Sequence, residues 1–157
     1  MLFRSNGKAK IIRIQTLRKM GRFAESIEAA LQETARDQFN LAAFFELYYN
    51  YLELADDKKA EDALANFLER SRGTSHNLIS YAIDYASAGL YNEAIELLLL
   101  AGQRNLNEPL INYYIAYYCD RAANQDLALD YLKNAAKADP AYCFPNRLKI
   151  LSSLKMQ

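Results

Sequence analysis

The chain has 157 residues and a mass of 17.9 kDa, enough for one compact domain or a short repeat array. It carries 24 Ala and 23 Leu but only 10 Ile, 3 Thr and no Val. That excludes a sheet-built fold, because β-branched residues fit the pleated surface whereas Ala and Leu favour helix. The 19 basic and 19 acidic residues cancel, which argues against a dedicated nucleic-acid binder.

Four helical hairpins are predicted in chain order, at 8–37, 39–72, 75–106 and 108–139. A closing helix over 145–155 brings the total to nine helices. The first hairpin turns at Gly21-Arg22-Phe23-Ala24-Glu25-Ser26-Ile27. A basic start without acids also has the composition of a mitochondrial presequence, but an internal helical turn at Gly21-Arg22-Phe23 argues against that reading. The second hairpin reads Leu47-x2-Asn50-Tyr51-x2-Leu54, then Ala63-x3-Phe67. Tyr51 stands there where a small residue is expected, so this hairpin is expected to splay or shift. Ser26 to Ala63 spans 37 residues and Ala63 to Ala94 spans 31, which places a displaced hairpin between copies that are otherwise in step.

The third hairpin reads Leu78-x2-Tyr81-Ala82-x2-Tyr85, then Ala94-x3-Leu98, and breaks at Gly89-Leu90. The fourth reads Asn112-x2-Ile115-Ala116-x2-Cys119, then Ala128-x3-Leu132, breaks at Ala123-Asn124 and ends at Pro140. A shift of 34 residues lays one on the other: Ala82 on Ala116, Ala88 on Ala122, Ala94 on Ala128, Leu98 on Leu132 and Ala101 on Ala135. Glycine costs about 1 kcal/mol inside a helix but nothing at a turn, so Gly89 fits the break. Ala82 with Ala94, and Ala116 with Ala128, let the helices of one hairpin approach closely. A larger side chain there costs about 1–3 kcal/mol by overpacking. Turn and cap chemistry recurs at Asp56-Asp57, Gly73-Thr74-Ser75, Asn105 to Pro109 and Asp139-Pro140, with Ser75 and Asn107 as expected N-caps. In the closing helix, Leu148, Ile150, Leu151 and Leu154 suit one face covering the last hairpin, which a terminal repeat needs.

Residues 75–140 resemble the tetratricopeptide repeat family, whose pattern is a bulky residue, x2-L-G-x2-Y, A-x3-F and P at a period of 34. Gly89-Leu90-Tyr91-Asn92-Glu93-Ala94-Ile95 is similar to the central turn of that family. The departures are Leu78 and Asn112 at the first aromatic, and Leu106 at the first closing Pro. The resemblance implies an all-α, right-handed α-solenoid of antiparallel helix hairpins with a C-terminal capping helix. It also implies a concave groove, lined by the first helix of each hairpin, in which ligands dock. A second resemblance covers only Ala141-Tyr142-Cys143-Phe144-Pro145-Asn146-Arg147-Leu148. It is to the repeat region of large bacterial proteins with a carbohydrate-enzyme-like front part, and it implies an alternative role as a helical accessory region, or fragment, of such a protein.

The residues carry little catalytic chemistry. The one histidine, His76, lies beside Ser75 at a helix start, where a solvated surface residue is expected. The glycines at 7, 21, 73, 89 and 102 form no phosphate-cradling loop. No His/Cys/Asp cluster has metal-ligand spacing, so no metal, no cofactor and no enzymatic activity are expected. Asp56-Asp57 and Glu61-Asp62 read as solvated charge at a turn. Cys119 and Cys143 are too few for a disulfide scaffold, and Cys119 reads as a buried, inert thiol. Free thiols point to a reducing, cytoplasmic setting. No apolar run approaches the ~20 residues needed to span a bilayer.

The tyrosines are the informative set. Nine of the 12 fall on first helices: Tyr48, Tyr49, Tyr51, Tyr81, Tyr85, Tyr113, Tyr114, Tyr117 and Tyr118. Residues four apart share a helix face. The expected groove face comprises Phe45, Tyr48 and Leu52, then Ile79 and Ile83, then Tyr113 and Tyr117, while Tyr51, Tyr81 and Tyr85 pack between helices. Tyr113 and Tyr117 either fill the repeat packing or form an amphipathic wall for a peptide or protein partner. Tyr suits the second role because it offers large area and a hydroxyl at little entropy cost. Domains of this family that clamp acidic chaperone tails resemble one another in groove Lys and Asn residues. The groove places here are mostly hydrocarbon, so that activity is not expected.

Residues 1–22 hold Arg4, Lys8, Lys10, Arg13, Arg18, Lys19 and Arg22 and no acid, which leaves a net charge of −7 on the remainder. This stretch reads either as a solvated first helix or as a patch for an anionic partner. Taken together, these readings predict a non-catalytic protein–protein interaction scaffold.

Overall fold

The computed structural model describes residues 2–72, 75–104 and 109–137, with side chains described from residue 7 onward except that of residue 104. These residues form eight α-helices and no strand: α1 (Leu2–Lys19), α2 (Phe23–Arg36), α3 (Leu41–Glu53), α4 (Asp57–Arg70), α5 (Ser75–Ser87), α6 (Tyr91–Arg104), α7 (Pro109–Arg121) and α8 (Gln125–Ala136). The fold class is all-α, as the sequence predicts. The expected closing helix over 145–155, the N-cap Asn107 and the segment 141–148 lie outside the described residues. Ser75 is the first residue of α5 rather than the residue preceding it. The first hairpin also begins earlier than expected, at Leu2.

Contacts divide the chain into two compact units, Met1–Arg72 and Gly73–Gln157. In the first, α1 packs on α2, α2 on α3 and α3 on α4, and α3 also reaches α1. In the second, α5, α6, α7 and α8 pack in sequence. Three residues join the helices of each hairpin, a length that returns the chain antiparallel to itself.

The four hairpins keep one period. Second helices begin at Phe23, Asp57, Tyr91 and Gln125, and first helices end at Lys19, Glu53, Ser87 and Arg121, each at an interval of 34 residues. Each turn places one residue in the left-handed region: Gly21 (φ 73°), Ala55 (φ 53°), Gly89 (φ 79°) and Ala123 (φ 61°). The closing hydrogen bonds repeat as well. The N–H of Arg22, Asp56, Leu90 and Asn124 donates to the carbonyl of Leu17, Tyr51, Tyr85 and Cys119 respectively, at 2.8–3.0 Å. This six-to-one bond satisfies a carbonyl that the helix end would leave without a partner. Asp56 and Asn124 also cap the following helices, their side chains accepting from the N–H of Lys59 and Leu127.

The displaced second hairpin is therefore corrected. The residues in register are Ser26, Ala60, Ala94 and Ala128, all at most 1% exposed. Ala63 lies one helical turn beyond Ala60 and is itself buried, so Ala63-x3-Phe67 imitates the repeat pattern three residues late. In the true register Tyr51 matches Tyr85 and Cys119, and it is Tyr48 that takes the place of Ala82 and Ala116. Nor does the hairpin splay: Phe45 on α3 meets Phe67 on α4 with ring centroids 4.9 Å apart. Tyr48 and Tyr51 pack against Ile14, Ala30, Leu47 and Ala63. The small residues opposite, Ala30 and Ala63, supply the room that the large one on α3 takes up.

Candidate functional site

In the first unit the aromatic residues of α3 form one connected set. The Phe45 ring lies 4.8 Å from Tyr49 and 5.8 Å from Tyr48, and Tyr48 and Tyr49 are 5.2 Å apart. Phe45 is fully buried, Tyr48 and Tyr49 are half-buried, and Leu52 is exposed. Phe45 thus supports the two tyrosines from beneath, while Tyr48, Tyr49 and Leu52 present surface. The Arg18 guanidinium of α1 stands 4.8 Å from the Tyr49 ring centroid, and its Nε donates to Oε2 of buried Glu46 at 2.8 Å. Tyr49 is therefore fixed on one side by a charge pair that is itself withdrawn from water.

Tyr49 is absent from the groove face read from the sequence. In the corrected register it is the counterpart of Ile83 and Tyr117. The signal that would have found it is the constant interval between Ser26, Ala60, Ala94 and Ala128.

In the second unit Ile79 is buried and Ile83 is half-buried. Tyr113 is 9% exposed and packs with Ala116, Leu132 and Ala135, alongside Leu110 and Tyr131. Its ring belongs mainly to the α7–α8 hairpin core. Tyr117 is half-buried and lies 5.6 Å from Tyr118, which is buried and stacks on Tyr114 at 5.8 Å. Tyr91, at the start of α6, contacts Tyr118 at 6.2 Å. The exposed Arg121 lies 5.9 Å from the Tyr91 ring centroid. A hydrogen bond with Tyr91, and the fields of Tyr91 and Tyr117, hold its guanidinium more firmly charged than usual. The result is a partly open aromatic surface with a cation at its edge. Tyr85 is buried, and Tyr81 is half-buried.

The groups considered for chemistry have plain surroundings. His76 is exposed. Cys119 is a buried free thiol, and burial raises its pKa, which disfavours the reactive thiolate. Asp56 is held below the usual carboxylate range by Lys59, whose Nζ lies 2.7 Å away. Among the described residues no group of three or more His, Cys, Asp or Glu could hold a metal ion. No described helix is long and apolar enough to cross a membrane.

The fold and its surface define an all-α repeat protein of 34-residue helical hairpins. No family model matches the chain. No curated protein matches it either. Among solved structures, it is similar to "MamA MSR-1 C2" at 20% identity, covering 81% of this chain and 73% of that one with a TM-score of 0.47. A point mutant of MamA matches at 18% identity over 85% of this chain and 97% of that one, with a TM-score of 0.48. "MamA AMB-1 C2221" matches at 18% identity, with 83% and 76% covered and a TM-score of 0.46. Likenesses of this strength assign neither family nor function.

Proposed function

We propose that the chain is a non-catalytic scaffold that docks a peptide or protein partner on the aromatic surface of its first helices. The observation that supports this reading is the recurrence of a half-buried tyrosine at one repeat position, Tyr49 in the first unit and Tyr117 in the second, each resting on a buried aromatic ring, Phe45 and Tyr118 respectively. Rings held in this way lose little freedom on binding, which lowers the ordering cost of an interface. Of the residues read as groove-lining, Tyr48 and Leu52 in the first unit and Ile83 and Tyr117 in the second retain accessible surface, whereas Phe45, Ile79 and Tyr113 are buried.

The test compares partner capture by the unaltered chain, by Tyr49→Ala and by Tyr117→Ala, with cross-links mapped on the captured partner and helicity followed by circular dichroism. The expected result is loss of at least one specific partner by a variant of unchanged helicity. Identical capture by all three chains overturns the proposal.

A further inference from the structure

Buried Glu33 of α2 lies at the back of a cleft between α1 and α2. The cleft encloses about 180 Å3 and is lined by Lys10, Arg13, Ile14, Ala29, Gln32, Glu33 and Arg36. Glu33 is 3% exposed. Its Oε1 accepts from Arg36 Nη2 at 2.7 Å and from Asn40 Nδ2 at 3.2 Å, and its Oε2 lies 3.2 Å from Lys10 Nζ. The Arg36 hydrogen bond is the main cause that holds this carboxyl below its usual range. Lys10 and Asn40 add to that effect, against the opposing cost of burial. One carboxylate thus meets two cations, Lys10 and Arg36, and a third cation, Arg13, lines the same cleft. Arg13, the third, is exposed and has no carboxylate within ion-pair distance among the described residues. It contributes weakly to the charge stabilisation of Glu25, which is already held through both oxygens by Arg22.

The fold does not require these charges. In the second hairpin the positions equivalent to Lys10, Glu33 and Arg36 are Phe44, Phe67 and Arg70, and Arg70 lies 4.8 Å from the Phe44 ring centroid. The position equivalent to Arg13 is buried Leu47. An apolar floor beneath a cation in one hairpin is an ion-paired cleft with a surplus of positive charge in the other.

We infer that this cleft receives a glutamate or aspartate side chain of an acidic peptide segment. The walls fit both parts of such a side chain. Half-buried Ala29, backed by buried Ile14, offers apolar contact to its methylenes, while Arg13, with Lys10 and Arg36 shared from Glu33, offers N–H donors to its carboxylate. A bare phosphate leaves the apolar wall unused, and a nucleic acid calls for a longer run of spaced cations. The peptide as partner class rests on the scaffold reading, but the cleft lies within the first hairpin and is tested separately.

The full-length chain is titrated with a short blocked Glu-rich peptide, with the same peptide carrying Gln for Glu, and with inorganic phosphate, while backbone amide shifts are followed. Expected are shifts at Lys10, Arg13, Gln32 and Arg36, and a Glu-peptide affinity about tenfold above that of the Gln peptide. That affinity falls several-fold as salt rises from about 0.05 to about 0.3 M. Arg13→Gln, which breaks no ion pair, weakens the Glu peptide about fivefold or more at unchanged melting temperature. Equal affinity for the two peptides, or unaltered binding by Arg13→Gln, overturns the assignment. Displacement of the peptide by an equal concentration of phosphate overturns the peptide as ligand. A chain that ignores the Glu peptide but still captures a Tyr117-dependent partner loses the cleft and keeps the scaffold. The converse result loses the scaffold and keeps the cleft.

Discussion

The two units share one backbone period and fill it with different chemistry. The first unit buries polar groups: Arg18 against Glu46, Glu33 among Lys10, Arg36 and Asn40, and Ser26 beside Asn50. Ser26 Oγ donates to the Ile14 carbonyl at 2.9 Å and accepts from Asn50 Nδ2, which also donates to the Glu46 carbonyl. Among its described residues the second unit buries Leu, Ile, Ala and four large tyrosine rings, Tyr85, Tyr113, Tyr114 and Tyr118, with Glu93 as its buried charged side chain. At Ser26, where α1 and α2 meet, a hydroxyl links the Ile14 carbonyl to the side-chain amide of Asn50. At Ala94 and Ala128 a methyl group simply lets the helices close. The shape of a hairpin is thus set by the size of the residue at the crossing and by the turn, and the polarity of the core is left open for other uses.

The largest expected effects come from breaking each unit by its own chemistry. Glu46→Ala leaves the Arg18 guanidinium buried without its carboxylate, a loss of about 3–5 kcal/mol. Hydrogen exchange should register it as lost protection in residues 1–72 while residues 75–137 keep theirs. The double change Arg18→Met with Glu46→Leu should recover most of that loss, because an apolar pair of similar volume is often as stable as a buried ion pair. Tyr114→Ala is the mirror experiment, with about 3–5 kcal/mol lost through cavity formation and confined to the second unit. If Glu46→Ala weakens both units alike, the contrast between a polar and an aromatic core loses its meaning.

A smaller effect separates the units by pH. Glu33 has a folded pKa below its unfolded value of about 4.5, so its contribution is fully present above that value and is lost as pH falls through the folded pKa. Acid should therefore loosen the α1–α2 hairpin, which Glu33 joins through Lys10. Glu33→Gln should lower stability at neutral pH and flatten its acid dependence below pH ~4.5. Amide exchange in α1 and α2, followed from neutral to acid pH in both chains, checks this. Parallel curves for the two chains would remove Glu33 as the acid-sensitive group.

Most of the fold was legible because its causes are local. The absence of Val, the turn at Gly89-Leu90 and the run of small residues at Ala82, Ala94, Ala116 and Ala128 each point to close-packed helical hairpins. The second hairpin was misread for an equally local reason. Tyr48 occupies a place where the later copies carry Ala, and Ala63-x3-Phe67 offers a false match three residues from the true one. That error moved the match along α3 by three positions, so that Tyr48 and Leu52 stood where Phe45 and Tyr49 belong, and it left out Tyr49. The roles of Phe45 and Tyr113 were hidden for another reason: helical spacing gives a face but not what lies opposite it, which is Phe67 of α4 for Phe45 and Leu132 with Ala135 of α8 for Tyr113, and burial of Ile79 was hidden likewise. The cleft at Glu33 was invisible because Lys10 and Glu33 are 23 positions apart in the chain, and nothing in their spacing marks them as partners.

The turns offer the smallest change and the most even one. Gly21 and Gly89 adopt positive φ without cost, whereas Ala55 and Ala123 hold nearly the same backbone with a Cβ. The left-handed conformation costs an L-residue about 1–2 kcal/mol, and glycine returns about 0.4–1 kcal/mol of that through the greater freedom of its unfolded chain. Ala55→Gly and Ala123→Gly should therefore each stabilise their unit by about 0.5–1 kcal/mol, measured by urea unfolding with residue-resolved exchange. The reverse changes, Gly21→Ala and Gly89→Ala, should cost a similar amount. Because all four turns close the same six-to-one hydrogen bond, the four effects should agree in size whichever unit carries them. A gain in one unit and none in the other would mean that the turns, like the cores, have diverged, and that the common period conceals two kinds of hairpin.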